Sequence, residues 1–220
     1  MAPGAARRPD REARHGSLDV GGEVPVVLAS ASPRRAEILT MLGIRFAVAP
    51  AGVEERRSPG ERPHRYVERL AREKAAAVSP AHRGSLVIAG DTIVVLGAQV
   101  LEKPAGPDRA REMLAALSGR THTVCSGLAL ALEGRTVSGV AAATVVFREL
   151  TRDEIAGYVE TGEPLDKAGA YGIQGCGAAL VREVKGDYFT VVGFSVAAFM
   201  DLLPELGLQY RPGTGVVAGG

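Results

Sequence analysis

Residues 121–150, THTVCSGLALALEGRTVSGVAAATVVFREL, decide the fold class. Two long β-rich runs, near Thr121 to Leu132 and Thr136 to Leu150, flank Glu133-Gly134-Arg135, a spacing that predicts an antiparallel hairpin. On either side, short extended apolar runs alternate with 3.6-residue periodicity. Val24 to Ser30 is nearly continuous and β-rich, and the helix after it carries Ile38, Leu39 and Leu42 on one face and ends before Gly43. Arg65 to Val78 predicts a second helix, packed through Tyr66, Leu70 and its alanines; Pro107 to Leu117 predicts a third, stopping at Ser118-Gly119. Leu86 to Ala89 and Ile93 to Leu96 read as two strands separated by Gly90-Asp91-Thr92. Thr151-Arg152-Asp153-Glu154 has the capping-box pattern and opens a helix through Val159. Ala178 to Val184 and Tyr188 to Val192 read as strands, followed by a last helix near Ser195 to Leu203. Interleaved helices and strands alone permit a parallel sheet, but the hairpin requires antiparallel pairing too. The expectation is an α/β domain with a mixed β-sheet and flanking helices.

The 220 residues are 46% hydrophobic, which excludes a disordered or fibrous chain. With 26 basic against 25 acidic residues, the net charge is +1, so no broad cationic field is available for nucleic acid and the expected partner is a small molecule. No apolar run approaches the roughly 18 residues a membrane helix needs, and no membrane partner is expected. Residues 1–23 lack the apolar stretch of a secretory signal and contain Asp10, Glu12, Asp19 and Glu23, unlike an acid-poor transit peptide. They read as a disordered extension of a domain over 24–208, with Gly-rich 209–220 as a flexible tail. Cys125 and Cys176 lack metal-ligand or redox spacing and read as buried reduced thiols of a cytoplasmic protein. Four of the 26 basic residues are lysine, at 74, 103, 167 and 185, the rest being arginine. A retained Lys in such a chain hints at a site needing a compact point charge.

Four segments have the residue types for chemistry. In Ser30-Ala31-Ser32-Pro33-Arg34-Arg35, Ser32 suits a helix cap and Pro33 the first turn, so free N–H groups face the loop. Arg34 and Arg35 oppose the helix dipole there, which makes sense if an anion binds; otherwise they face solvent or pair with Glu37. Asp91, after a buried strand, suits Mg²⁺ or general-base work, though an acid in a strand-end turn is ordinary. Glu54-Glu55 is either a pair of metal ligands or an exposed acidic turn balanced by Arg56 and Arg57. In DKAGAYGIQG (166–175), glycines permit close approach to a ligand or to another segment, and Gln174 offers a donor and an acceptor to a base edge. His122, in a strand pattern, reads as a satisfied structural histidine.

Taken together, LASASPRRAEILTMLGI, GVEE, YVERLAREKA, AGDTIVVL, LEKP, LSGRTHTV, EPLDKAGAYGIQG and KGDYFTVVGF, in order from about Val26 to Leu206, closely resemble the Maf family of nucleoside triphosphate pyrophosphatases. The resemblance implies two lobes around a cleft, a fold related to inosine triphosphate pyrophosphatases, and hydrolysis of a nucleoside triphosphate to monophosphate and pyrophosphate. It implies Asp91 as catalytic acid and metal ligand with Glu55, and Arg34, Thr92 and Gln174 as residues of substrate choice. Ser32, Arg34, Arg35, Lys74 and Lys103 match its phosphate-binding cleft, with Mg²⁺ or Mn²⁺ as cofactor. The AYGIQG form is similar to the branch acting on dTTP and UTP, modified pyrimidine nucleotides being further candidates. The resemblance also implies a homodimer. A nucleotide-binding regulator of cell division or septum formation, with little turnover, is the second expectation. One departure is Phe194-Ser195-Val196, where the family usually has Leu-Pro-Leu.

Overall fold

A computed structural model describes residues 22–220. In chain order the elements are β1 (Val26–Leu28), α1 (Pro33–Met41), β2 (Phe46–Val48), α2 (Pro63–Val78), β3 (Leu86–Leu96), β4 (Gln99–Leu101) and α3 (Pro107–Leu117). There follow β5 (Thr121–Leu132), β6 (Arg135–Phe147), α4 (Arg152–Glu160), β7 (Val181–Lys185), α5 (Tyr188–Val192), α6 (Val196–Leu202), β8 (Leu208–Arg211) and β9 (Gly215–Ala218). No helix among the described residues is long and apolar enough to cross a membrane.

The expected hairpin is the spine of the sheet. Strands β5 and β6 pair antiparallel from Leu132↔Arg135 outward, around Glu133 and Gly134, both at positive φ as a two-residue hairpin turn demands. The sheet order is β2-β1-β3-β5-β6-β7 with β4 added to β3; β1 runs parallel to β2 and β3, and the other pairings are antiparallel. This is the mixed α/β sheet that the hairpin requires.

Strand β3 has a divided edge. Its first residues, Leu86 to Ile88, pair with β1, and its last, Val94 to Leu96, pair with β4, leaving the middle without a strand on that side. Leu86 and Ile88 pack with α1 and α6 in one core, while Val94 and Leu96 pack with α3 and α4 in another. The alternate residues Val87, Ala89 and Ile93 meet α2 on the opposite face. Helix α2 buries Tyr66, Val67, Leu70, Ala71, Lys74, Ala75 and Val78, a helical stripe, against that face. It lies unusually close: a Cβ at Gly127 of β5 would sit 2.3 Å from the Val67 carbonyl oxygen and 2.9 Å from the Glu68 nitrogen.

Several local expectations are corrected. The Gly90-Asp91-Thr92 stretch is no turn; β3 runs through it, pairing Gly90↔Leu128, Asp91↔Gly127 and Thr92↔Ser126. Gly90 serves crowding, since a Cβ there would lie 3.0 Å from the Gly127 carbonyl oxygen and 3.2 Å from Arg35 Nε. Residues Gly175–Leu180 form a 3₁₀ turn, so the strand expected from Ala178 begins at Val181. Tyr188–Val192 is helical despite its β propensity, because Asp187 caps the Phe189 amide and Gly193 ends the turn at positive φ. The tail at 209–220, expected to be flexible, forms the β8–β9 hairpin with Val216 and Val217 fully buried, so the packed domain extends past 208. Glu23 bridges to Val217 and pairs with Arg45, placing the last residue of the expected extension in the fold; residues 1–21 lie outside the described residues. Cys125 is buried as expected, but Cys176 is exposed.

His122 is structural, though only half satisfied. It is buried in edge-to-face contact with the Phe147 and Tyr171 rings, with Nε2 2.8 Å from the Tyr171 hydroxyl and Nδ1 without a partner among the described residues. Burial pushes its pKa down to about 4. The fold thus favours the neutral ring. Its contribution is complete above the unfolded value of 6.5 and is lost as pH falls from there through 4, on the order of 3 kcal/mol in all. Wild-type denaturant stability should fall more steeply over that interval than that of His122→Gln; equal slopes would contradict the assignment. Gly127→Ala should lower stability by roughly 1–3 kcal/mol through overpacking, whereas Gly139→Ala, whose Cβ would have ordinary contacts with Leu202, should not. Thermal melts of the two variants compare them directly.

Candidate active site

A cleft of about 490 Å³ opens where the edge of β3 is left uncovered, between the two cores. Because β3 is extended, Asp91 and Thr92 point to opposite faces of the sheet, yet at an uncovered edge both reach the cleft. Asp91 turns toward α2, where Lys74 lies three helical turns from the N-terminus. Lys74 Nζ sits 2.7 Å from Asp91 Oδ1 and 2.6 Å from Glu55 Oε1. Burial holds the Asp91 carboxyl above the usual range in spite of Lys74 and Arg35. The Glu55 side chain is 45% exposed; there the Lys74 hydrogen bond and charge, with Lys103 and Arg35, outweigh partial desolvation and hold its carboxyl below the usual range. Asp91 Oδ2 has no hydrogen-bond partner among the described residues.

Glu55 reaches this position from an irregular loop between β2 and α2. Arg69 of α2 anchors that loop: its Nε and Nη2 each donate 2.8 Å bonds to the Glu61 carboxylate, and Nη2 also reaches the Arg56 carbonyl. The hydrogen bonds from Arg69, helped by one from the Ser58 amide, pull the Glu61 pKa down to about 2. Glu54, its neighbour, is exposed and does not line the cleft.

Thr92 turns toward α1 and α5. Arg35, buried in α1, donates from Nε to the Gly193 carbonyl at 2.9 Å, from Nη1 to Ser30 Oγ at 2.8 Å and from Nη2 to Thr92 Oγ1 at 3.2 Å. All three partners are neutral, and among the described residues no carboxylate lies within ion-pair distance of Arg35. Thr92 Oγ1 is 2.9 Å from Ser126 Oγ, which donates to the Thr190 carbonyl of α5. Ser32 stands at the N-cap of α1, but its side chain makes no cap bond; the expected cap is absent and its amide donates to Ser30 Oγ instead. Arg34 and Lys103 line the cleft without a carboxylate partner among the described residues, so neither the Glu37 pairing nor a solvent-only role describes Arg34.

Gln174 lines the far wall. Every residue expected at the site, Ser32, Arg34, Arg35, Glu55, Lys74, Asp91, Thr92, Lys103 and Gln174, therefore lines one cleft. Three others, Tyr66, Glu102 and Asp166, were missed, and Lys167, singled out only as a retained lysine, joins them at the cleft. Tyr66 of α2 donates to Glu102 Oε1 at 3.0 Å, both at the cleft, and Asp166 and Lys167 line it as a pair with Lys167 Nζ 2.7 Å from Asp166 Oδ1. Glu102 and Asp166 each adjoin a singled-out lysine, which was the available signal; Tyr66 read as core and gave none.

Two carboxylates sharing one cationic centre suit a hard divalent ion of the Mg²⁺ type, which takes one or two carboxylates and completes its shell with water and substrate oxygens. Among the described residues no group of three or more His, Cys, Asp or Glu side chains forms a dedicated metal cage.

The family model described as Maf-like protein matches residues 25–206. A dTTP/UTP pyrophosphatase of Moorella thermoacetica is 50% identical over 186 residues, covering 84% of this chain and 96% of its own. A dTTP/UTP pyrophosphatase of Escherichia coli is 48% identical over 177 residues, covering 80% of this chain and 90% of its own. Among solved structures, the Ham1 protein of Staphylococcus aureus aligns over 79% of this chain and 88% of its own at 14% identity and a TM-score of 0.46. Matched along most of its length, with the motif residues gathered on one cleft, the chain belongs to the Maf-like protein family.

Proposed function

We propose that the protein hydrolyses dTTP and UTP to the monophosphate and pyrophosphate. One observation carries this: a buried guanidinium whose hydrogen-bond partners among the described residues are all neutral, Arg35, lies beside a buried carboxylate, Asp91, on the two faces of one uncovered strand edge. An unpaired buried charge is costly, and an arriving phosphate relieves that cost. The names of relatives at about half identity support the pyrimidine substrates.

In this reading Arg35, Arg34 and Lys103 neutralise and orient the triphosphate, and Ser32 with the first amides of α1 adds donors. Asp91 Oδ2 accepts a proton from the attacking water, burial holding that carboxyl above the usual range. Lys74 holds Asp91 and Glu55 in one arrangement; its amine is committed to carboxylates, which moves it from phosphate ligand to positioning residue. Glu55 and Asp91 would hold Mg²⁺ or Mn²⁺, which supplies charge stabilisation at the phosphates. No covalent intermediate is needed, because orientation and electrostatics suffice for in-line displacement. Gln174 presents its amide to the pyrimidine edge. The expected compartment is the cytoplasm.

Incubation with dTTP or UTP and Mg²⁺ or Mn²⁺ should release pyrophosphate and monophosphate in equal amounts. Orthophosphate as product, or tight nucleotide binding without turnover, would instead favour another hydrolase or the regulator. Asp91→Asn should reduce kcat by roughly 10²–10⁴ while the melting temperature stays near that of wild type. Lys74→Arg should lose about tenfold or more in kcat, since a planar fork cannot replace a point charge held between two carboxylates at 2.6 and 2.7 Å. Near-normal turnover in steady-state assays would remove that role.

A further inference from the structure

The segment bearing Gln174 pairs with no strand among the described residues. It leaves a 3₁₀ turn at Ala168–Ala170, runs extended past Tyr171 and enters a second 3₁₀ turn at Gly175–Leu180. The Gln174 amide makes no hydrogen bond among the described residues, so its aim depends on the backbone around it. Two side chains outside the cleft lining hold that backbone. Tyr158 of α4, buried in the second core, accepts a bond from the Gly172 amide at 3.1 Å and donates to Glu163 Oε1 at 2.9 Å. Glu163 in turn accepts from the Gly177 amide at 3.1 Å through Oε1 and from the Cys176 amide at 3.0 Å through Oε2. Burial pushes the Tyr158 hydroxyl far up, so it remains a donor at working pH.

The bonds close a ring from Gly172 through Tyr158 and Glu163 to Cys176 and Gly177. Ile173 and Gln174, between the tied residues, line the cleft. The fit leaves no slack: a Cβ at Gly177 would fall 2.0 Å from the Gly172 carbonyl oxygen, and one at Gly175, which is at positive φ, 2.8 Å from Glu163 Oε2. The glycines here therefore let the chain approach itself. Glu163 is fixed from its own side as well, its carbonyl accepting from Lys167 Nζ at 2.5 Å.

We propose that Tyr158 and Glu163 are specificity-positioning residues, a phenol–carboxylate clamp that presets Gln174 before the nucleotide arrives. This rests on the reading of Gln174 as the group facing the base. A preset loop avoids the ordering cost of binding, so losing the clamp acts on KM and on base choice, while the phosphate-side chemistry at Asp91 is untouched. An amide discriminates base edges only if its donor and acceptor are held in one orientation.

The test measures kcat and KM for dTTP, UTP and dCTP in the full chain, comparing wild type with Tyr158→Phe, Glu163→Gln and Gln174→Ala. Tyr158→Phe keeps the ring and removes only the bridging hydroxyl. It should raise KM for dTTP about tenfold with kcat changed less than about twofold, and lower the dTTP-over-dCTP preference about tenfold. Glu163→Gln, which retains one acceptor oxygen, should fall between Tyr158→Phe and wild type. Amide exchange at Cys176 and Gly177 should quicken in both variants. If Gln174→Ala reduces the preference while both clamp variants retain it, the clamp proposal is overturned and the base-reading role of Gln174 stands. If Gln174→Ala itself leaves the preference unchanged, the base-reading role fails and the proposal falls with it. A kcat loss without a KM change in Tyr158→Phe would also overturn it.

Discussion

Helix α2 lies on the sheet at a distance that only a glycine at 127 permits, the Val67 carbonyl occupying the space of a Cβ. From that contact the geometry of the cleft follows. Seven residues further along the same helix, Lys74 arrives over Asp91, the strand partner of Gly127. One position before Val67, Tyr66 is directed to Glu102. Two positions after it, Arg69 grips Glu61 and holds the loop that brings Glu55 to the Lys74 amine. A helix displaced outward by the width of a methyl group would shift all three side chains from their partners, because interiors packed at this density have no slack to absorb the change.

The second constraint is electrostatic. On the α2 face of β3 the buried lysine is shared by two carboxylates, which leaves that group net negative; on the α1 face the buried Arg35 has, among the described residues, hydroxyl and carbonyl partners and no carboxylate. The cleft as a whole is lined by Arg34, Arg35, Lys74, Lys103 and Lys167 against Glu55, Asp91, Glu102 and Asp166, so cations slightly outnumber carboxylates there. Since the two faces meet at the uncovered edge of one strand, Asp91, suited to water activation, and Thr92, which accepts from the Arg35 guanidinium, are neighbours in the chain. Extended geometry separates them to opposite faces, and the gap between β1 and β4 reunites them.

Much of this was legible beforehand. The β5–β6 hairpin, α3 and the capping box of α4 follow from local patterns, and Thr151 and Glu154 make both reciprocal bonds. All nine expected site residues line the cleft, because their motifs concentrate charged and polar side chains with no reason to converge except at a site. The failures share a cause. Gly90 read as a turn signal, but it is a glycine because Arg35 and the neighbouring strand crowd it. The β-branched run at Tyr188 became helical because Asp187 and Gly193 cap it. Ser195, in place of the proline usual in the family, caps α6 through the Ala198 amide and also donates to Asp187. The C-terminal glycines suggested fraying, yet β9 is held by Val24 and Glu23 from the other end of the packed domain.

The amino-acid sequence by itself determined the element types wherever a local period or cap dominated, the mixed pairing of the sheet, and the identity of the groups with chemical potential. Those are properties of neighbours in the chain, readable at a range of a few residues. Only the tertiary structure decided that Lys74 serves carboxylates, that Arg35 is buried beside neutral partners, that Asp91 lies within a strand and not after one, and that Tyr158 and Glu163 close around Gln174. Each of these depends on contacts between segments distant in the chain, where burial and packing, not local propensity, set the position of a charge and the direction of a side chain.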